Sequence, residues 1–376
     1  MMAKLYQRSA VRMDDLIAQA LDIQGCCKDI ILPGAFTGRR GNKKETGALN
    51  PGLTSASISL EGDYGTLNFL APMGGNGEMT LSVPVSARLT QWSFYQLCSV
   101  RLGVPHAFMA KCLEADIPEI REVYPNTVDT FMRHYDAATR IRLYQPEVGG
   151  PIRIRGIVSA SYAVFDSDQV LATVKDAMSD DFNVVGYHIN EEGAHIRLTS
   201  PEPLNVDGED LYPGLLITSG DVGNGSLQVK FFLYKQVCKN GLVMEKMTGK
   251  VLHKRHLGLY GADDFRESLE DALASFPTFC ANAAELIEKA RRKELDPADL
   301  KKELDSFKAS VKLTEKEEAQ IVRLAGDRYA GNGGVITVWG FVNALTEFAQ
   351  EARFDLDTRM DIETYAADLL HTAVAA

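Results

Sequence analysis

Two short stretches near the middle of the chain alternate arginine with aliphatic residues. Residues 139–144 read TRIRLY and residues 152–157 read IRIRGI, so Arg140, Arg142, Arg153 and Arg155 interleave with Ile141, Leu143, Ile152 and Ile154. A period of two is what a β-strand with one buried and one wet face requires, and it rules out a helix over these residues. Half-buried strands of this kind belong to antiparallel sheets, so the two runs predict paired strands whose outer face carries the arginines. Further strands are expected at 183–189, 194–199, 212–219 and 226–237, with Glu191, Glu192 and Gly193 as a hairpin turn.

Helical spacing dominates on both sides of this segment. Residues 11–23 place Val11, Leu16, Ile17, Ala20 and Ile23 along one face. Short strands at 54–61, 66–71 and 79–85 are followed by a helical pattern from Ala87 to Tyr135, broken at Gly103 to Pro105 and at Pro118. Trp92, Tyr95, Leu97 and Val100 would be its buried stripe. Ser167 is positioned to cap a helix running to Met178, with Val170, Leu171, Val174 and Ala177 inward. Residues 263–330 are helical and densely charged, Pro297 starting one helix in its first turn. Beyond the break at 331–334 lie an apolar helix over 335–349, with Trp339 and Phe341 as core and Asn343 as a buried polar exception, and a last helix near 362–373. The expected fold is α+β: a central antiparallel β-sheet with flanking helices and a helical C-terminal region. The expected division is 1–136 (mixed strands and helices), 137–262 (β-rich core) and 263–376 (helical).

Composition enters as a constraint on function. The 376 residues carry 45% hydrophobic and 24% charged side chains, ordinary for a folded soluble chain. No apolar run approaches the length that crosses a bilayer, and the basic N-terminus is not followed by a signal-type stretch, so a cytoplasmic protein with no membrane partner is expected. Six scattered cysteines (26, 27, 98, 112, 238, 280) read as reduced thiols. Cys238, His253 and His256 lack the second cysteine of a zinc finger, and no metal or other cofactor is expected.

Enzyme signatures are absent. There is no dinucleotide or P-loop glycine motif, no G-x-S-x-G elbow, no H-E-x-x-H, and no set of Cys and His with an orienting acid. The acidic pairs at 180–181 and 191–192 sit at turns, where solvated carboxylates belong. A chain acting without catalytic residues is the expectation, a site assembled from distant positions being the alternative.

The formal charge of −11 argues against nucleic acid, but its distribution does not. Residues 228–256 hold Lys230, Lys235, Lys239, Lys246, Lys250, Lys254 and Arg255 against the single acid Glu245, a local excess of six positive charges. Strand alternation would put Lys230 with Phe232 and Tyr234 on one face, and Lys235 with Phe231 and Leu233 on the other, carried onward through a turn at Asn240 and Gly241. Lysines meet phosphates and aromatic rings stack unpaired bases. The structural alternative is that Phe231 and Phe232 are core and the lysines a solubilising sheet edge. The loop at 34–47, with Arg39, Arg40, Lys43 and Lys44, reads either as a solvated excursion or as a basic arm.

Several segments resemble one family. GIVSASYAVFDSDQVL (156–171), KQVCKNGLV (235–243) with HKRHLG (253–258), TVWGFVNALTEFAQE (337–351) and FYQLCSVRLGVP (94–105) occur in the order found in a broad family of phage- and plasmid-like proteins classed as a domain of unknown function. The match departs from the usual pattern at Ala160, Ala163 and Ser167, where arginine or asparagine is often found. The family's strand-and-helix order resembles that of the RecT, Red beta and Erf annealing proteins, an architectural analogy. The resemblance implies a homo-oligomeric ring or filament that binds and anneals single-stranded DNA in recombination, holding one strand in a basic groove. Arg153, Arg155, Lys230, Lys235, Lys239, Lys250, Lys254 and Arg255 are the candidate contacts. A counter-defence or regulatory factor that binds another protein through its acidic helices is the alternative.

Overall fold

A computed structural model describes residues 11–33, 53–73, 81–135, 137–178, 182–235, 240–243, 252–254, 262–311, 313–330, 334–351 and 353–375. The fold is α+β, built on two sheets rather than one central sheet. The first carries β1 (Cys27–Leu32), β2 (Ser57–Ser59), β3 (Thr66–Met73), β4 (Leu81–Leu89), β5 (Thr139–Tyr144) and β6 (Arg153–Ser159) in the order β1-β5-β6-β4-β3-β2. Every pair is antiparallel except β4 with β6, which meet in parallel only at Arg88 with Arg153 and Leu89 with Ile154. The arginine-bearing strands thus pair with each other as expected, but they complete a sheet begun far upstream, not the sheet that follows them.

Helix α1 (Met13–Gly25) precedes this sheet, and α2 (Gln91–Tyr95), a π-helical stretch (Gln96–Arg101), α3 (His106–Leu113), α4 (Pro118–Arg121) and α5 (Val123–Arg133) lie between β4 and β5. Phe94, Leu97, Cys98, Met109, Tyr124 and Val128 pack against Leu67, Phe69, Ile141, Ile154 and Ile157 to form one core. The buried stripe of α2 therefore runs through Phe94 and Leu97. Trp92 and Tyr95 are only half-buried, because a helix starting at Gln91 turns Phe94 inward, and Val100 is 51% exposed, because the wider π turn rotates the residues after Tyr95 away from 3.6-residue spacing.

After α6 (Ser167–Ala177), the second sheet comprises β7 (Asn183–Asn190), β8 (Gly193–Thr199), β9 (Leu204–Val206), β10 (Glu209–Gly220), β11 (Leu227–Lys235), β12 (Asn240–Val243) and β13 (Leu252–Lys254). Its order is β12-β11-β10-β8-β7, with β13 also on β11 and β9 on β10, all antiparallel. Asn240 and Gly241, expected as a turn, open β12 opposite Lys235 and Tyr234.

One face of this sheet, through Ile196, Leu198, Leu215, Ile217, Phe231 and Leu233, meets α1, α6 and the C-terminal helices α7 (Ala262–Arg292), α8 (Pro297–Ser310), α9 (Glu315–Arg328), α10 (Val338–Phe348) and α11 (Leu356–Ala375) in a second, larger core. Helix α8 starts as its sequence predicts, the Asp296 carboxylate accepting from Ala298 N and Asp299 N at 2.8 Å each. Helix α10 is buried throughout, with Phe341 inaccessible and Trp339 nearly so; Asn343 donates to Trp339 O (2.8 Å) and accepts from Lys235 Nζ (3.3 Å). Among the described residues no helix is long and apolar enough to cross a membrane.

Candidate nucleic-acid interface

The two sheets meet where the hairpin turns of the second dock on the arginine strands of the first. At the tip of β10–β11, Val222 O accepts from Gln96 Nε2 (2.7 Å) and Trp92 Nε1 (3.2 Å), while Tyr162 Oη donates to Gly220 O and Asp221 O. Gly156 is required here, since a Cβ on it would stand 2.9 Å from Val222 Cβ. At the β7–β8 turn, formed by Glu191 and Glu192 as predicted, Arg155 donates to Glu191 O (2.9 Å) and Arg153 pairs with the Glu191 carboxylate (3.2 Å).

The expected arginine-bearing outer face is corrected by this joint. Arg142 and Arg155 are buried, and both hold Asp166: Arg142 at 2.8 and 2.5 Å, Arg155 at 3.1 Å. Arg142 also donates to Asp29, which binds Arg140 as well. The turns of the second sheet cover this face, and a β-bulge alters the strand beside it. Arg142 pairs with Gly156 and Leu143 with Ile154, so Arg155 has no partner in the register, and Ile154 and Ile157 both reach the core. Simple alternation across 152–157 is broken by that extra residue.

Protonation at the joint is unequal. Burial opposes ionisation of Asp166, but Arg142 and then Arg155 outweigh it and hold its carboxyl below the ordinary range. Asp221 accepts from Ser167 N, Ser167 Oγ and Ser219 Oγ, yet burial first and the Asp166 charge second push it up to about 7. Asp166, not Ser167, is the N-cap residue of α6.

The joint leaves an aromatic recess open beside it. About 470 Å³ is enclosed by Tyr64, Gln91, Trp92, Phe94, Tyr95, His106, Ala110 and Glu192, within the ~300–1,000 Å³ range of small-ligand pockets. The rings brace one another: Tyr64 with Phe94 at 5.5 Å, Trp92 with Tyr95 at 5.1 Å, Tyr95 edge-on to His106 at 4.8 Å. Tyr64 is anchored through its carbonyl by Tyr124 Oη (2.8 Å), and Gly65 follows it at φ +89°, where a Cβ would meet Ser59 O at 2.9 Å. His106 Nδ1 lies 2.9 Å from Ser99 Oγ. At the end of β4, three residues before Gln91, Arg88 is exposed and, among the described residues, shows no ion pair. Its register partner Arg153 is 43% exposed, over the Tyr144 ring at 5.0 Å. A larger space, about 690 Å³ between β1 and the β3–β4 hairpin, has a mainly aliphatic lining.

The remaining predicted contacts are dispersed. Lys235 is tied to Glu209 and Asn343 and lies over the Tyr329 ring at 5.4 Å, on the side facing the helices. Lys230 is half-buried on the other face of β11, in the row of Leu216 and Arg197. His188, His195, Thr218 and Gln228 form the next row. Burial first, then Arg197, His188 and Lys230, push His195 well below its ordinary value. Arg197 itself is held by Glu363 of α11 at 2.7 and 3.1 Å. Phe232 and Tyr234 are buried with Leu216, and Phe231 stacks on Phe279 at 4.8 Å, so the aromatics of β11 are core. Lys254 pairs with Leu227, on the row alternate to that of Lys230. Lys239, Lys250 and Arg255 lie outside the described residues, as do Lys246, Cys238, His256 and the basic loop at 34–47.

Sequence reasoning missed the recess because Trp92 and Tyr95 read as a buried stripe. The available signal was Thr90, whose hydroxyl accepts from Ser93 N at 3.2 Å and starts a helix at Gln91, placing Phe94, not Trp92, inward.

These features define a two-sheet α+β fold with a charged joint between the sheets and an aromatic recess. Residues 155–373, more than half of the chain, match the family described as a domain of unknown function (DUF932), and the chain belongs to that family. The matched region begins at the bulged Arg155 and takes in Asp166, Ser167, Asp221 and the second sheet. No curated protein and no solved structure matches the chain.

Proposed function

We propose that this protein binds single-stranded DNA and brings complementary strands together without catalytic residues, in the manner of the RecT, Red beta and Erf annealing proteins of mobile elements. It would act in the cytoplasm as a homo-oligomer. The observation that carries the reading is the recess of Tyr64, Trp92, Tyr95 and His106, with Arg88 at the end of the strand that leads to Gln91 and Arg153 paired with Glu191, the neighbour of Glu192. A braced aromatic surface next to guanidinium groups is what a single strand needs, rings for the unpaired bases and cations for the phosphates. Lys230, half-buried on β11, offers a second place for the backbone. Arg155 and Lys235, by contrast, are engaged in holding the fold.

The test is a salt titration of binding to single- and double-stranded oligonucleotides, with particle size followed in parallel. Binding that favours the single strand and weakens steeply with salt is expected; failure to bind either form at low salt refutes the reading.

A protein partner is the second reading. Phe108, Ile117, Ile120, Val123 and Phe131 of the α3–α5 region are exposed, an unusual concentration of large apolar side chains. If DNA fails to bind, that surface is the place to seek the partner.

A further inference from the structure

The recess is aromatic on most sides, but its one charged lining residue is an acid. Glu192 closes it from the β7–β8 turn, fixed by its backbone: Glu192 N donates to Asn190 Oδ1 at 2.9 Å, and Glu192 O accepts from Asp221 N at 2.8 Å. Its side chain has no hydrogen bond or ion pair among the described residues, unlike neighbouring Glu191, whose carboxylate is taken by Arg153. The recess is also lined by Tyr64, Trp92 and Tyr95, and Trp92 already spends its only donor on Val222 O. Flat walls select a planar ring system, and an uncommitted carboxylate selects what lies along that ring's edge.

An ionised carboxylate can only accept. Guanine alone among the DNA bases presents two adjacent donors on its Watson–Crick edge, N1–H and the N2 amino group, spaced for the two oxygens of one carboxylate. Adenine and cytosine present one amino group beside a ring lone pair, and thymine presents one N–H between two carbonyls; both patterns set an acceptor against the carboxylate. We propose that the recess is a guanine-binding site in which the base stacks on the aromatic lining of Tyr64, Trp92 and Tyr95 and the Glu192 carboxylate receives its N1–H and N2–H. Arg88 and Arg153 are the cations for the phosphate. The guanine could belong to a single strand or to a free nucleotide. The single-strand case rests on the proposed DNA binding, while the free nucleotide does not.

The experiment uses the full chain and its Glu192→Gln variant with four labelled probes: oligo(dT), and the same oligomer with one central guanine, hypoxanthine or adenine. Hypoxanthine keeps N1–H and lacks the N2 amino group. Guanosine monophosphate is a fifth, unlabelled probe, read by tryptophan emission. The guanine oligomer is expected to bind about tenfold more tightly than oligo(dT) or the adenine oligomer, with hypoxanthine between. Glu192→Gln should erase that preference. Equal binding of all four oligomers overturns the guanine site and leaves the single-strand reading standing. A guanine preference that survives Glu192→Gln overturns it too. If no oligomer binds but guanosine monophosphate does, and Glu192→Gln abolishes that, the site holds and its source is the free nucleotide. If nothing binds, both inferences fall.

Discussion

Two clusters of aromatic residues sit near cations in this protein, and they have opposite fates. On β11, Phe231 and Phe232 neighbour Lys230 and Lys235 in sequence, yet both rings are buried, one stacked on Phe279 and the other packed with Leu216 and Tyr234. On α2, Trp92 and Tyr95 lie outside any obvious basic run, yet they line a recess, with Arg88 at the end of the strand that leads to Gln91. A strand in the interior of a sheet with both faces covered turns every aromatic into core. A five-residue helix followed by a π-helical stretch seats only part of its surface, and what is left over remains accessible. Proximity of lysine and phenylalanine along the chain is therefore a poor guide to a stacking surface.

The largest effect expected from this contrast is on stability. Phe231→Ala should cost about 3–5 kcal/mol in denaturant unfolding, since it empties a packed site against Phe276 and Phe279. A loss under about 1 kcal/mol would mean that the β11 ring is not core. Next, Trp92→Ala should cost less stability than Phe231→Ala, through loss of the Val222 hydrogen bond, and weaken single-strand binding by about 1–3 kcal/mol, the usual worth of one stacked base. Titration calorimetry on folded variant and parent distinguishes the two outcomes.

A smaller effect comes from the joint that supports the recess. Asp221 is raised to about 7 from an ordinary value of 3.8, so the folded state holds a proton that the unfolded chain releases. Its stabilising contribution is whole below about pH 4 and is lost as pH rises through 7. Asp166 is shifted the other way, and its contribution is lost only as pH falls below the ordinary carboxylate range. Between pH 5 and 8 the melting temperature of the parent should therefore fall, and that of Asp221→Asn should fall less. Parallel profiles would show that Asp221 is already ionised. The smallest effect expected is at Lys230. If the half-buried Lys230 meets a phosphate, Lys230→Gln should lower the slope of log affinity against log salt by roughly 0.7, while Lys235→Gln should act through stability, because Glu209 and Asn343 hold that lysine.

Much of the local structure was legible in the sequence, and much of its assembly was not. The strands at 139–144 and 152–157, the Glu191–Glu192 turn, the Asp296 cap and the buried helix α10 with its polar Asn343 follow from period, turn chemistry and capping alone. Which sheet β5 and β6 would join did not, because alternation specifies a face and not a partner strand. Nor did the fate of the arginines: a strand pattern marks Arg142 and Arg155 as facing away from the core, but not that a second sheet's hairpins would cover that side. The bulge at Arg155 and the π turn after Tyr95 each shift the register by one residue, and periodicity has no term for either.

The chain has two tryptophans, Trp92 in the recess and Trp339 buried in α10, so one substitution isolates the reporter. In a Trp339→Phe protein, all tryptophan emission comes from Trp92, and titration with a single-stranded oligonucleotide asks directly whether bases enter the recess. Saturable quenching that follows the binding curve measured by anisotropy is the predicted result. Binding that leaves Trp92 emission unchanged would contradict the account, because the strand would then lie somewhere other than the recess.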